Sequence, residues 1–166
     1  MEEWWHEVVD LVASGRTAEA VELTRDEALA GSLAAQVRIA RFGEEAGVSR
    51  EEADQMISRA ESLVEPADAT CQWALFGAYE ASLGACQYDE KARRALKHLQ
   101  AYAEATEDPQ ATYAVAVRYG QGTIGTEPDA MQVLSWMRRA AKLGHPMGEQ
   151  FLLRSERDAS QETPPK

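Results

Sequence analysis

Ala111-Thr-Tyr113-Ala-Val115-Ala116-Val117-Arg118-Tyr119-Gly120-Gln121-Gly122 leads through Thr-Ile-Gly125-Thr-Glu-Pro128-Asp129 into Ala-Met-Gln-Val133-Leu-Ser-Trp136-Met137-Arg-Arg139-Ala140-Ala141-Lys-Leu-Gly144-His145-Pro-Met-Gly148. Apolar residues at 111, 115, 116 and 119, and again at 133, 136, 137, 140 and 141, recur at i, i+3, i+4 spacing, which predicts two amphipathic helices. Gly120, Gly122 and Gly125 punctuate the connection, and Pro128 is expected in the first turn of the second helix, where a missing N–H costs nothing. The stretch therefore reads as a helical hairpin, closed by Gly144 and followed by the start of another helix.

The pattern recurs upstream, and internal repeats decide a fold of this kind. A shift of forty residues sets Cys71 under Ala111, Leu75 under Val115, Tyr79 under Tyr119, Asp89 under Asp129, Leu96 under Trp136 and Ala101 under Ala141. Further back, Ala35, Ile39 and Ala40 occupy the first-helix positions, and Ala53, Met56, Arg59 and Ala60 the second. Ala20, Leu23, Ala28 and Gly31 repeat the end of the motif. An opening helix near 3–14 completes the first pair, with Gly15 ending it and Thr17 placed to cap the next. The expectation is four antiparallel pairs (about 3–30, 33–64, 69–106 and 108–143) and a capping helix at 147–157, with 158–166 a disordered tail. No hairpin of this sort buries its apolar face alone, so stacking supplies the core. A compact non-repeat bundle is the alternative all-α reading.

The 111–148 unit resembles the Sel-one-like repeat, a relative of the tetratricopeptide repeat, and the likeness runs more weakly over 18–153. That family places Leu-Gly where Val115-Ala116 stand, Ala at Val133, Lys at Arg139 and Ala at Gly148; the turn, Trp136 and Ala140-Ala141-x-x-Gly144 agree with it. The resemblance implies an all-α, right-handed α-solenoid. It also implies a non-enzymatic role in protein–protein interaction, an adaptor that holds a peptide or helix in a concave groove lined by first helices. On that register Val37, Trp73 and Tyr113 point into the groove, with Arg41, Gly77 and Val117 one turn on. Glu44, Glu45, Glu80, Arg118 and Gln121 supply a polar rim. Trp73 and Tyr113, equivalent by the forty-residue shift, are expected as neighbours on successive repeats, either as aromatic anchors or as packing between hairpins. Trp4 and Trp5 cap the open end or form a terminal docking patch.

Composition narrows the partner. The chain of 166 residues is 45% hydrophobic and 27% charged, with net charge −11. Fifteen acids and six bases in residues 1–67 give that part −9, six and four give −2 over 68–107, and seven of each balance 108–166. Such a surface disfavours nucleic acid and anionic membrane. It is compatible with a basic partner, as an inhibitor or immunity-type protein would require, although plain solubility is the commoner reason for an acidic surface. No apolar run approaches the ~20 residues of a membrane span, and the acidic start lacks a signal-peptide pattern, so a cytoplasmic setting is expected.

Catalytic chemistry is thin. His6 and Asp10 share an i, i+4 face, but zinc needs a third protein ligand. His98 flanks the Leu96/Leu99 stripe, and His145 sits by a helix C-terminus. Gly120-Gln-Gly122-Thr-Ile-Gly125 lacks the preceding strand and following Lys of a phosphate loop. Adjacent acids such as Glu51-Glu52 diverge by about 100° on a helix and serve helix starts. If Cys71 and Cys86, fifteen residues apart, share one helix, they stand about 22 Å from each other and are not expected to pair. No cofactor or metal is expected. The alternative is a small-ligand protein for cell-wall fragments, or an enzyme, with a pocket in the groove.

Overall fold

The computed structural model describes residues 3–81, 89–122 and 128–161. Nine α-helices are formed there: α1 Glu3–Ala13, α2 Thr17–Leu29, α3 Leu33–Phe42, α4 Arg50–Leu63, α5 Ala69–Ala81, α6 Asp89–Thr106, α7 Pro109–Gln121, α8 Ala130–Lys142 and α9 Pro146–Gln161, with a 3-10 turn at Gly43–Ala46. The described residues hold no strand.

Local chemistry sets the ends. Ser32, Asp108 and Asp129 accept backbone N–H bonds as N-caps of α3, α7 and α8, satisfying donors a helix leaves orphaned. Ser49 and Glu52 form a reciprocal capping box at α4. Two expected helix starts fall differently. Thr17 is the first residue of α2, behind an Arg16 that makes no capping bond and instead pairs with Glu19 at 2.5 Å. Pro128 precedes the cap, because Asp129 binds the N–H groups of both Met131 and Gln132 and so starts the helix after itself. The closing helix continues to Gln161, four residues beyond the expected 157; residues 162–166 and Cys86 lie outside the described residues.

Each helix packs on the next, α1 with α2, α3 with α4, α5 with α6, α7 with α8, and α9 on α8. The pairs stack into an all-α solenoid through α2 on α3, α3 on α5, and α6 on α7. One buried cluster joins α3, α4, α5 and α6 and is built largely of alanine: Ala34, Ala60, Ala74, Ala78 and Ala95 around Leu75. Another joins α6, α7 and α8 around Leu99, Val115 and Trp136. Small side chains let backbones approach closely. At Gly148, where the repeat pattern has Ala, α9 lies so near α8 that a Cβ would sit 2.8 Å from the Ala141 nitrogen and 3.1 Å from the Met137 oxygen.

Candidate binding surface

The first helices α3, α5 and α7 carry the residues singled out by the repeat register. Val37 is a correction: it is fully buried, packed in the alanine-rich cluster between α3 and α5, and offers nothing to a partner. α3 is flanked by α2, α4 and α5, so only part of its circumference stays open. Arg41 is on that part, exposed, with its guanidinium laid over Gly77 of α5 at a distance where an added Cβ would lie 2.9 Å from Nη1. Further along, Glu80 of α5 receives both Nη groups of Arg118 of α7 at 2.8 Å each. This bidentate geometry is the strong form of a carboxylate–guanidinium pair. α3 thus packs on α5, and α5 is linked to α7 by this one side-chain bridge. Gln121 is exposed at the end of α7, and Val117 is half-buried beside Arg118.

The two aromatics are placed alike but not together. Trp73 is half-buried, with its ring 4.9 Å from Tyr102 of α6 and 5.2 Å from Phe76. Tyr113, also half-buried, stacks on His145 at 4.2 Å and 10°. Each therefore rests on an aromatic near the C-terminal end of its own pair's second helix, rather than on the other. The ring of His145 is buried, with Nε2 3.0 Å from Gln110 Oε1, so its setting is a packed corner.

Trp4 and Trp5 meet edge to face at 6.0 Å. Both lie against the guanidinium of Arg38 on α3, whose carbon is 3.6 Å from the Trp5 centroid and 5.2 Å from that of Trp4. Arg38 is only 2% exposed. The pair thus closes over the first two repeats with cation–π contacts, while Val9 and Val12 on the same helix stay about half exposed.

A polar cluster not foreseen from the sequence ties α4, α5 and α6. Tyr79 donates to Glu61 Oε2 at 2.7 Å, and Arg94 reaches the same carboxylate at 3.2 Å while also binding Glu90. His98, expected at the edge of a core stripe, is 1% exposed and stacks parallel to Tyr79 at 5.7 Å. Gln72 gives its Nε2–H to the Glu65 carbonyl, so its Oε1 faces His98 Nδ1 at 2.7 Å and fixes the proton there. His98 Nε2 faces Glu61 at 3.4 Å. Burial drives the His98 pKa below the ordinary histidine range, against the pull of Glu61. Burial opposes charge on Glu61 too, yet the Tyr79 hydrogen bond and the Arg94, His98 and Lys97 charges outweigh it and hold the carboxyl low. Tyr79 is pushed up to about 12 by burial and by its bond to Glu61. The signal for this cluster was one polar residue, Gln72, set next to an alanine-rich face.

His6 and Asp10 are both exposed on α1. Among the described residues no three His, Cys, Asp or Glu side chains converge as a metal site, and no helix there is long and apolar enough to cross a membrane.

No family model and no curated protein matches the chain. A solved crystal structure, described as a sel1 repeat protein from Klebsiella pneumoniae subsp. pneumoniae, is similar at 15% identity over 91% of this chain and 90% of that one, with a TM-score of 0.43.

Proposed function

We propose that this chain is a non-enzymatic, cytoplasmic scaffold that holds a partner peptide or helix along its first-helix face. The observation that carries the reading is the linkage of successive first helices, by Arg41 over Gly77 and by the Glu80–Arg118 ion pair. These contacts support one surface running across α3, α5 and α7, with the half-exposed Trp73, Tyr113 and Val117 along it. Arg41, Glu80 and Gln121 supply its polar contacts. Aromatic side chains flanked by adaptable polar groups are frequent anchors in interfaces. The proposed partner is basic, matching the −9 of residues 1–67, and complementary charge would make its association fast and salt-sensitive.

Site-specific photo-crosslinking tests the proposal. A crosslinker at Arg41 or Gln121 should trap one stoichiometric species, and one at Met131, exposed on α8, should not. Capture from Met131 alone, or equal capture from all three, would remove the first-helix face from consideration. Insensitivity of the complex to salt would remove the basic partner.

A further inference from the structure

The two ends of the solenoid are open. α1 packs on α2 and α9 on α8, and among the described residues no further hairpin lies beyond either. A solenoid that ends in water needs a polar outer face on its terminal repeats. Here four of the seven large apolar side chains exposed among the described residues stand on the outermost helices. They are Val9 and Val12 of α1 and Met147 and Leu153 of α9, each about half exposed, so both ends have apolar surface to bury.

The ends are opposite in charge. Residues 3–29 carry seven acids and two bases, net −5, and residues 130–161 carry three acids and five bases, net +2. At the first end an open cleft of about 490 Å³ separates α1 from α2. Leu11 and Leu23 form its floor, and Glu7, Asp10 and Glu19 line it against one base, Arg16. Glu19 takes Arg16 at 2.5 Å, which leaves the lining two charges negative. At the other end Gly148, Phe151, Leu152 and Ser155 of α9 turn inward. Gln150, Leu153, Arg154 and Arg157 therefore form an exposed outer stripe at i, i+3, i+4, i+7 spacing. Glu149 and Glu156, seven residues apart, share the edge of that stripe beside Leu153, while Arg154 stands on the opposite edge. Arg139 is drawn to Glu104 of α6, but neither Arg154 nor Arg157 joins an ion pair among the described residues.

From this we infer that the two ends recognise each other between molecules. α9 of one copy docks across α1 of a second, with Arg154 and Arg157 toward Glu7 and Asp10 and Leu153 against Val9. The occupant is a second copy because every molecule carries both halves of the match, opposite in charge and each with apolar surface to cover. The contact joins unlike surfaces, so copies add end to end or close into a ring. One helix on a hairpin is a small interface, so the association is weak and depends on concentration. It does not rest on the first-helix face, since Arg41 on α3 and Gln121 on α7 lie on neither outermost helix.

Sedimentation velocity of the full chain, alone in solution, tests the inference by charge exchange. The weight-average sedimentation coefficient of the parent should rise with concentration from micromolar to millimolar. Arg154→Glu with Arg157→Glu should abolish the rise, and so should Glu7→Arg with Asp10→Arg. All four positions are exposed, and circular dichroism checks that each doubly substituted protein is folded. An equimolar mixture of the two should regain the rise, because each then offers the other a complementary end. A parent whose coefficient stays flat would overturn the inference and leave both ends to a partner of another kind. Association surviving in either doubly substituted protein alone would mean a contact between like ends, and a mixture that stays monomeric would mean no pairing of these charges; each also overturns it. None of these outcomes bears on the crosslinking test of the first-helix face.

Discussion

Glycine-to-alanine substitution usually stabilises a helix by up to about 1 kcal/mol, and three helical glycines here should part company over it. At Gly148 the added methyl lies 2.8 Å from the Ala141 nitrogen, 3.1 Å from the Met137 oxygen and 3.2 Å from the Ala140 Cβ. Comfortable separation for such atoms is about 3.5 Å or more, and two of the three are backbone atoms that no rotamer change can move. α9 must then lift from α8 by roughly half an ångström, and overpacking of that kind costs about 1–3 kcal/mol. Gly148 is the third residue of α9, so the propensity return is smaller than at a helix centre. The net is a loss of about 1–2 kcal/mol. At Gly120 the methyl would meet only the Val133 Cγ2, at 3.5 Å, an ordinary contact, and Gly120→Ala should gain about 0.5 kcal/mol. Gly77→Ala presses on the tip of the Arg41 side chain, which can swing away, so it should be near neutral. Urea unfolding followed by helical circular dichroism measures all three. A chain this size moves its melting temperature about 2–4 °C per kcal/mol, so the order should also be visible by heat. A Gly148→Ala protein as stable as the parent would refute the close approach of α8 and α9.

The Glu61–Tyr79–His98 cluster gives stability a defined pH window. His98, with its folded pKa lowered, leaves the unfolded chain binding the extra proton, so its contribution is complete above about pH 6.5 and declines as pH falls below that. Glu61, also lowered, contributes above the ordinary glutamate pKa and is lost as pH falls through its folded value. Tyr79, raised to about 12, contributes below about pH 10 and loses that between 10 and 12. Urea midpoints across pH should therefore fall on both sides of a neutral plateau, and His98→Gln should flatten the shoulder just below pH 6.5; an unchanged shoulder would place the titration elsewhere. Arg38→Ala should cost about 2 kcal/mol, through lost cation–π contact and lost packing of the side-chain stem, and should shift tryptophan emission to the red. Unaltered emission would mean that Trp4 and Trp5 do not rest on Arg38.

Much of the architecture was legible because helical periodicity is a local property. Val115, Trp136 and Ala140 announce their helices without reference to the rest of the chain, and the equivalence of Arg41 with Gly77 comes out as a contact between α3 and α5. What periodicity leaves open is which flank of a helix meets a neighbour. Val37 borders an alanine-rich face, and it is buried because α5 packs on α3 there, a fact of tertiary stacking. Arg38 and His98 are charged or polar by type, so pattern alone sets them outside. Two indoles from α1 cover Arg38, and partners from α4 and α5 accommodate His98. Trp73 and Tyr113 occupy equivalent positions, yet their ring contacts depend on what lies beside them, Tyr102 of α6 in one pair and His145 of the turn after α8 in the next.

The alanine seam between the second and third pairs has a consequence for how the stack finds its register. Faces made largely of Ala34, Ala60, Ala74, Ala78 and Ala95 around Val37 and Leu75 offer few large side chains to interlock, so they specify a one-turn slide, about 5.4 Å, less sharply than a face of larger residues would. The same slide would take Glu61 away from Tyr79, Arg94 and His98, and the Glu65 carbonyl away from Gln72, leaving buried polar groups without partners. Hydrophobic burial supplies the adhesion of these pairs, and the polar cluster acts as a key that only one alignment fits. Strength and precision of assembly therefore reside in different residues of the same joint.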